Sequence, residues 1–254
     1  APILLCNAKP IHISLQDDFT PDWEAIQNAI TPKTRMIIIN NPHNPTGKTW
    51  TENDFIQLEK IADLHPDLLI LSDEVYEYIT FENKHISINQ RSKIRERSVI
   101  VSSFGKSFHI TGWKIGYLIA SDILMKEIKK VHQFLVFSVN SLAQYALNDY
   151  LDLVQVSELS GFYQQKRDFF RTLLAATKFE LLPCEGTYFQ LVSYANISNE
   201  CDIDFTRKLV TDFGVATIPL SAFYANGKDH KCIRFCFAKD EDTLAKAVDS
   251  LLKI

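Results

Sequence analysis

The sequence has no run near the roughly 18 apolar residues that a bilayer-spanning helix needs, so no membrane partner is expected. It shows no secretory-signal pattern. No CxxC pair, HExxH pair or Cys/His knuckle occurs, and the seven histidines are scattered, so no metal site is expected. The five cysteines, Cys6, Cys184, Cys201, Cys232 and Cys236, are an odd number without framework spacing. They fit free thiols in a reducing cytosol, and a cytoplasmic location is expected. Neither sign of charge dominates: 27 Lys and Arg against 31 Asp and Glu give −4, mixed along the chain. That excludes the basic patch or stripe that marks a nucleic-acid partner. Internal repeats, low-complexity tracts and flexible linkers are missing as well.

What is there is an ordinary globular composition, 46% hydrophobic and 23% charged over 254 residues. The length allows one large domain or two modest ones with a sizeable core. Ala1 falls inside what reads as ordered structure, so an N-terminal part is expected to precede it.

Strand and helix signals alternate through the first half. Apolar runs at 36–39, 68–71, 98–103 and 116–121 read as strands, apolar on both faces and covered by helices. Thr51 with Asp54 gives a capping-box start to a helix whose stripe is Phe55, Leu58, Ile61 and Ala62. A long helical stretch from 122 to 151 is broken by the polar residues 138–141. Beyond about residue 155 the pattern changes to a smaller α+β unit. It comprises a Phe-rich helix, a strand at 187–194, a helix ending at Gly214, a strand at 231–238 and a last helix through Leu252.

The stretch NNPHNPTGKT, 40–49, ends like a nucleotide-binding P-loop. The first glycine of that motif would stand at position 42, which is Pro42, and Pro45 follows. Prolines have no N–H to aim at phosphate, so the P-loop reading is excluded. What remains is a rigid strand-to-helix turn offering Asn41 and Asn44 as amides.

Ligands of open parallel sheets bind beyond the carboxyl ends of the strands. Three such ends carry polar residues here: Asn40 through Asn44; Asp73 with Tyr76; and Ser102, Ser103, Lys106 and Lys114. Taken singly, Asp73 could cap a helix, Tyr76 could be a core aromatic and Lys106 could be a surface lysine. Taken together, a carboxylate, a phenol, an amide, a lysine and a second cation match the needs of pyridoxal 5′-phosphate. Its aldehyde needs an amine nucleophile, its ring nitrogen an acid, its phenolate donors, and its phosphate hydroxyls and a cation.

The segments 40–47, 72–78, 102–117, 186–189, 214–224 and 232–238 resemble those of the class I aminotransferases, fold-type I pyridoxal-phosphate enzymes. The branch of methionine and kynurenine (glutamine-type) aminotransferases is the most similar. The resemblance implies an α/β fold. A large cofactor domain, mostly parallel sheet with helices on both faces, would span 1–155, and a smaller C-terminal α+β domain 156–254. It also implies a homodimer. The family's N-terminal third, with its phosphate turn, ring-stacking aromatic and intersubunit tyrosine, has no counterpart in the sequence.

By the same resemblance, Lys106 is the Schiff-base lysine and proton shuttle, and Asp73 is the partner of the pyridine nitrogen. Tyr76 and Asn44 donate to the phenolate oxygen; Ser103 and Lys114 bind phosphate, although many relatives carry arginine at the latter. Arg234, with Asn44, receives the substrate carboxylate. Arg234 has independent support: on a strand it shares a face with Cys232, Cys236 and Ala238, while Ile233, Phe235 and Phe237 face the core. Small neighbours leave room for its fork, although an exposed surface arginine would show the same pattern. Phe223, Tyr188 and Tyr224 are candidates for an apolar side-chain pocket or for packing.

The expected activity is amino-group transfer between an apolar, aromatic or sulfur-containing L-amino acid and a 2-oxo acid. A carbon–sulfur β-lyase on the same scaffold and a non-enzymatic binding fragment are the alternatives.

Overall fold

The computed structural model describes residues 2–254. A short helix, α1 (Pro2–Leu5), and α2 (Trp23–Ala29) precede the first sheet. The Asp22 carboxylate accepts the Ala25 N–H at 2.9 Å and so starts α2.

Four strands form the first sheet in chain order: β1 (Met36–Asn40), β2 (Leu69–Asp73), β3 (Ser98–Ser103) and β4 (Gly116–Ala120). The first three are parallel, and β4 pairs antiparallel with β3. The β1–β2 crossover carries α3 (Glu52–Leu64), capped by the reciprocal Thr51–Asp54 bonds expected from the sequence. Phe55, Leu58, Ile61 and Ala62 are all buried. Full burial of a Leu, Ile or Phe side chain stabilises by about 1.5–3 kcal/mol.

One expectation fails at the sheet edge. Met36 is 41% and Ile38 51% exposed in β1, and Ile119 is 44% exposed in β4, so neither edge strand is buried on both faces. β1 has a partner only on its β2 side, and its outward residues lack cover among the described residues.

After β3 comes a single helical turn, α4 (Phe104–Ser107). Beyond β4 lie α5 (Asp122–Leu135) and α6 (Ser141–Leu151), divided where the polar residues 138–141 predicted. Both helices leave large apolar side chains in solvent, among them Phe134, Leu135, Leu142 and Tyr145, each at least 75% exposed.

The second sheet has the order β5 (Glu180–Leu181), β6 (Phe189–Ser193), β8 (Cys232–Cys236), β7 (Ile218–Pro219) and is antiparallel. Helices α7 (Glu158–Leu174), α8 (Asp202–Phe213) and α9 (Glu241–Leu251) accompany it. Gly214 ends α8 with φ 68°, the left-handed cap its position predicted. Ile233, Phe235 and Phe237 face the core with Phe170, Leu174 and Val248. Tyr76 and Ile79 of the first unit belong to that same core cluster. Phe19 likewise packs on Leu191, Leu220 and Cys232 of the second sheet.

Two glycines fix the crossing between the segments that carry the motifs. Gly47 takes φ 71°, and its carbonyl accepts the N–H of Glu185 at 3.0 Å and of Gly186 at 2.8 Å. A Cβ on Gly186 would stand 2.9 Å from the Ile79 carbonyl oxygen and 3.1 Å from the Pro42 Cβ. The backbone there cannot give way without moving the Asn44 loop. Gly186→Ala is therefore expected to destabilise the protein by about 1–3 kcal/mol, read as a lowered denaturant midpoint.

Candidate active site

The parallel registers set Asn40 beside Asp73 and Asp73 beside Val101, so three strand ends meet at one edge. A cavity of about 340 Å³ opens there. Asn40, Asn44, Asp73, Tyr76, Ser103 and Lys106 line it, together with Val75, Val101 and Ser102. A smaller cleft of about 200 Å³ beside Arg95, Glu96 and Ser121 holds no comparable set.

Asp73 accepts the Val75 N–H at 3.2 Å through Oδ1, so the turn-capping role open to it in the sequence is real and coexists with a place in the cavity. Burial pushes its carboxyl above the ordinary value. The Val75 N–H opposes the rise, the neighbouring Glu74 adds to it, and the Lys106 ammonium opposes it. Tyr76 combines both of its possible roles: it is 2% exposed within the core cluster, and it also lines the cavity. Burial pushes its phenol upward, Tyr188 adds to the rise, and Arg234 opposes it, so the hydroxyl stays protonated at neutral pH.

Lys106 lies on α4, directly after β3, where Ser103 caps the turn by accepting the Gly105 N–H at 3.1 Å. Its Nζ stands 5.9 Å from the Tyr188 ring centroid. Among the described residues it has neither an ion-pair partner nor a hydrogen bond.

Arg234 arrives from β8 of the second sheet, and its Nη1 donates to Asn44 Oδ1 at 2.5 Å. The guanidinium carbon lies 3.8 Å from the Phe189 ring centroid and 5.1 Å from that of Phe223. Its Nε is buried without a partner, and burial pushes the group below its ordinary value. A guanidinium beside two rings, with no acidic partner among the described residues, has the chemistry to receive an anion.

Lys114 is not drawn into this set: it ends a short 3-10 turn with φ 56°, is exposed, and does not line the cavity. Of the pocket candidates, Tyr188 and Phe223 stand beside Lys106 and Arg234, whereas Tyr224 packs against His230 and the Leu191–Leu220 cluster. Asn41 turns inward, its Oδ1 accepting the Trp50 N–H at 2.9 Å. Asn40 and Ser102 carry no role in the sequence reading beyond standing at strand ends. Their place in the wall follows from strand register, which only the paired structure displays.

The family described as "Aminotransferase class I and II" matches residues 3–251. The chain belongs to the class I and II aminotransferase family. A methionine aminotransferase of Escherichia coli (strain K12) is 45% identical over 93% of the chain and 62% of its own length. A kynurenine–oxoglutarate transaminase of Dictyostelium discoideum is 35% identical over 100% of the chain and 68% of its own length. The crystal structure of Escherichia coli YbdL, assigned a methionine aminotransferase function, superposes with a TM-score of 0.96 at 43% identity, over 99% of this chain and 68% of that one. The chain thus spans about two thirds of the relatives' length, and the fold-type I architecture is confirmed over the part it has. Class I aminotransferases use pyridoxal 5′-phosphate.

The loop bearing Asn44 is clamped from the far side of the sequence. Glu185 accepts from Lys48 Nζ at 2.8 Å and from the Thr49 N–H and hydroxyl at 2.9 Å each. His43 in the same loop is pushed down to about 4 by burial, so it adds no charge near neutrality. Burial works against the ionised Glu185, but the Lys48 and Thr49 donors outweigh it and hold the carboxyl below its ordinary value. A depressed carboxyl stabilises the fold above its unfolded pKa and loses that contribution as pH falls through the folded one. Between about pH 6 and 3 the denaturant midpoint of the unsubstituted chain should therefore fall more steeply than that of Glu185→Gln, the unfolded glutamate titrating near 4.3.

Proposed function

We propose that this chain catalyses pyridoxal-phosphate-dependent transfer of an amino group to a 2-oxo acid. The donor is an apolar, aromatic or sulfur-containing L-amino acid of the methionine, phenylalanine, kynurenine or glutamine type. The observation that carries the reading is one cavity lined by Lys106, Asp73, Tyr76 and Asn44, with a half-buried arginine bonded to Asn44. The names of the similar methionine and kynurenine enzymes support the substrate class.

The residues present fit the cofactor. Lys106 offers an amine that no other described side chain bonds, Asp73 a carboxylate, and Tyr76 and Asn44 donors to a phenolate. Ser103 would serve the phosphate from the wall, and Lys114 from its exposed turn. Bound pyridoxal phosphate supplies an electron sink that stabilises negative charge at the substrate Cα. Asp73 holds a proton on the ring nitrogen, for which its anionic form is needed. Arg234 receives the α-carboxylate with its fork of N–H groups and fixes the direction of the Cα–H bond. Lys106 Nζ moves the Cα proton, a step worth roughly 10² to 10⁴-fold in rate. Tyr188 and Phe223 offer apolar surface to the substrate side chain.

Division at residue 155 into a cofactor unit and a small unit, a homodimeric assembly and a cytoplasmic location belong to the same proposal. The bare apolar side chains of α5 and α6 support association with a further surface. Among the described residues no helix is long and apolar enough to cross a membrane.

Lys106→Ala should lower transamination of methionine or phenylalanine by at least about 10²-fold while the far-ultraviolet circular dichroism is unchanged. Ordinary turnover in that variant would refute the proposal. Release of pyruvate and ammonia without an oxo-acid acceptor would favour a β-lyase instead.

A further inference from the structure

Asn40 lines the cavity at the end of β1, yet it has no part in the scheme above. Its Oδ1 accepts the Asn44 N–H at 2.9 Å, and its Nδ2 donates to the Asp73 carbonyl at 3.0 Å. The same carbonyl accepts the Asn41 N–H at 3.0 Å. The opposite orientation of the amide would set oxygen against oxygen at Asp73 and N–H against N–H at Asn44, so these partners fix it. Asn44 in turn has its Oδ1 occupied by Arg234, which leaves its Nδ2 to donate into the cavity. One carboxamide therefore links the backbone of the Asn44 loop to the backbone of Asp73.

We propose that Asn40 is a positioning residue: it holds Asn44 and Asp73 in one fixed relation and thereby sets the proton affinity of the cofactor they bind. The inference rests on the aminotransferase reading of the cavity. Without Asn40, Asn44 is released from β1 and donates less well to the cofactor's phenolate oxygen. That oxygen then retains a neighbouring proton more strongly. The charged and titratable groups at the cavity are Asp73, Lys106 and Tyr76; Glu77 bonds the wall residue Ser102, Glu74 neighbours Asp73, Tyr188 lies against Tyr76 and Lys106, and Arg234 acts through Asn44. Asn40 is neutral, so Asn40→Ala changes position without changing charge. Asn40→Ser is likewise neutral and too short to bridge both partners.

The test loads the full chain with pyridoxal phosphate and titrates its visible absorption band with pH. Melting of the cofactor-free protein and hydrogen exchange at the Asn44 amide are measured in parallel. In Asn40→Ala the midpoint of the band should move up by about half to one pH unit, the scale of one lost hydrogen bond. Asn44 exchange should quicken by about tenfold. Asn40→Ser should move the midpoint in the same direction, and it serves alone if the alanine variant does not fold. An unmoved midpoint with only a lowered melting temperature overturns the inference and leaves Asn40 as a structural cap. If the unsubstituted chain gives no visible band with the cofactor, it is the aminotransferase reading that fails. Exchange at Asn44 then decides the link by itself, and unchanged protection in the variant overturns it.

Discussion

The parallel pairing of β1, β2 and β3 is the constraint on which the rest of the site depends. Parallel strands in register deliver their carboxyl ends to one edge, and that edge is where Asn40, Asp73 and Ser103 emerge. Residues more than sixty positions apart in the chain become walls of one cavity. A one-residue slip of β2 would turn Asp73 to the other face and send Ser72 to the cavity side. Burial of Ile39, Ile70 and Ile100 with the α3 stripe holds the register against such a slip.

The second sheet contributes a half-buried guanidinium, that of Arg234. Arg234 keeps its place because Ile233 and Phe235 anchor β8 in the core on the opposite face. Phe189 and Phe223 cover the guanidinium without neutralising it. Such a group attracts a carboxylate more strongly than an exposed arginine would, since solvent competes less. Its bond to Asn44 ties the second sheet to the strand ends that line the cavity. The glycine contact of Gly47 with Gly186 and the Glu185 clamp hold the same two parts together from the outside.

Local signals carried much of this architecture. The Thr51–Asp54 cap, the bounds of β3, the break between α5 and α6, the Gly214 cap and the inward face of β8 are each written within a few residues. Of the residues that the family motifs named, Asn44, Asp73, Tyr76, Ser103 and Lys106 line the cavity, and Lys114 and Arg234 do not. What was not legible depends on partners far away in sequence. The exposure of Met36 and Ile38 follows from the edge position of β1, which composition does not encode. Glu185 finds Thr49 across 136 positions, and no motif predicts that pair. Asn40 looks like any strand-end amide until the Asp73 carbonyl is placed beside it. The exposure of Lys114 is set by a left-handed turn that lysine seldom signals.

The central claim is that one amine, on residue 106, meets the cofactor aldehyde beside the carboxylate of residue 73. Borohydride treatment of the full chain after incubation with pyridoxal phosphate, followed by peptide mapping, tests it most directly. The account predicts that the pyridoxyl group is recovered on Lys106, and that prior addition of an amino-acid substrate with the cofactor prevents the labelling. Recovery on another lysine, such as Lys48 or Lys114, with Lys106 unlabelled, would contradict it.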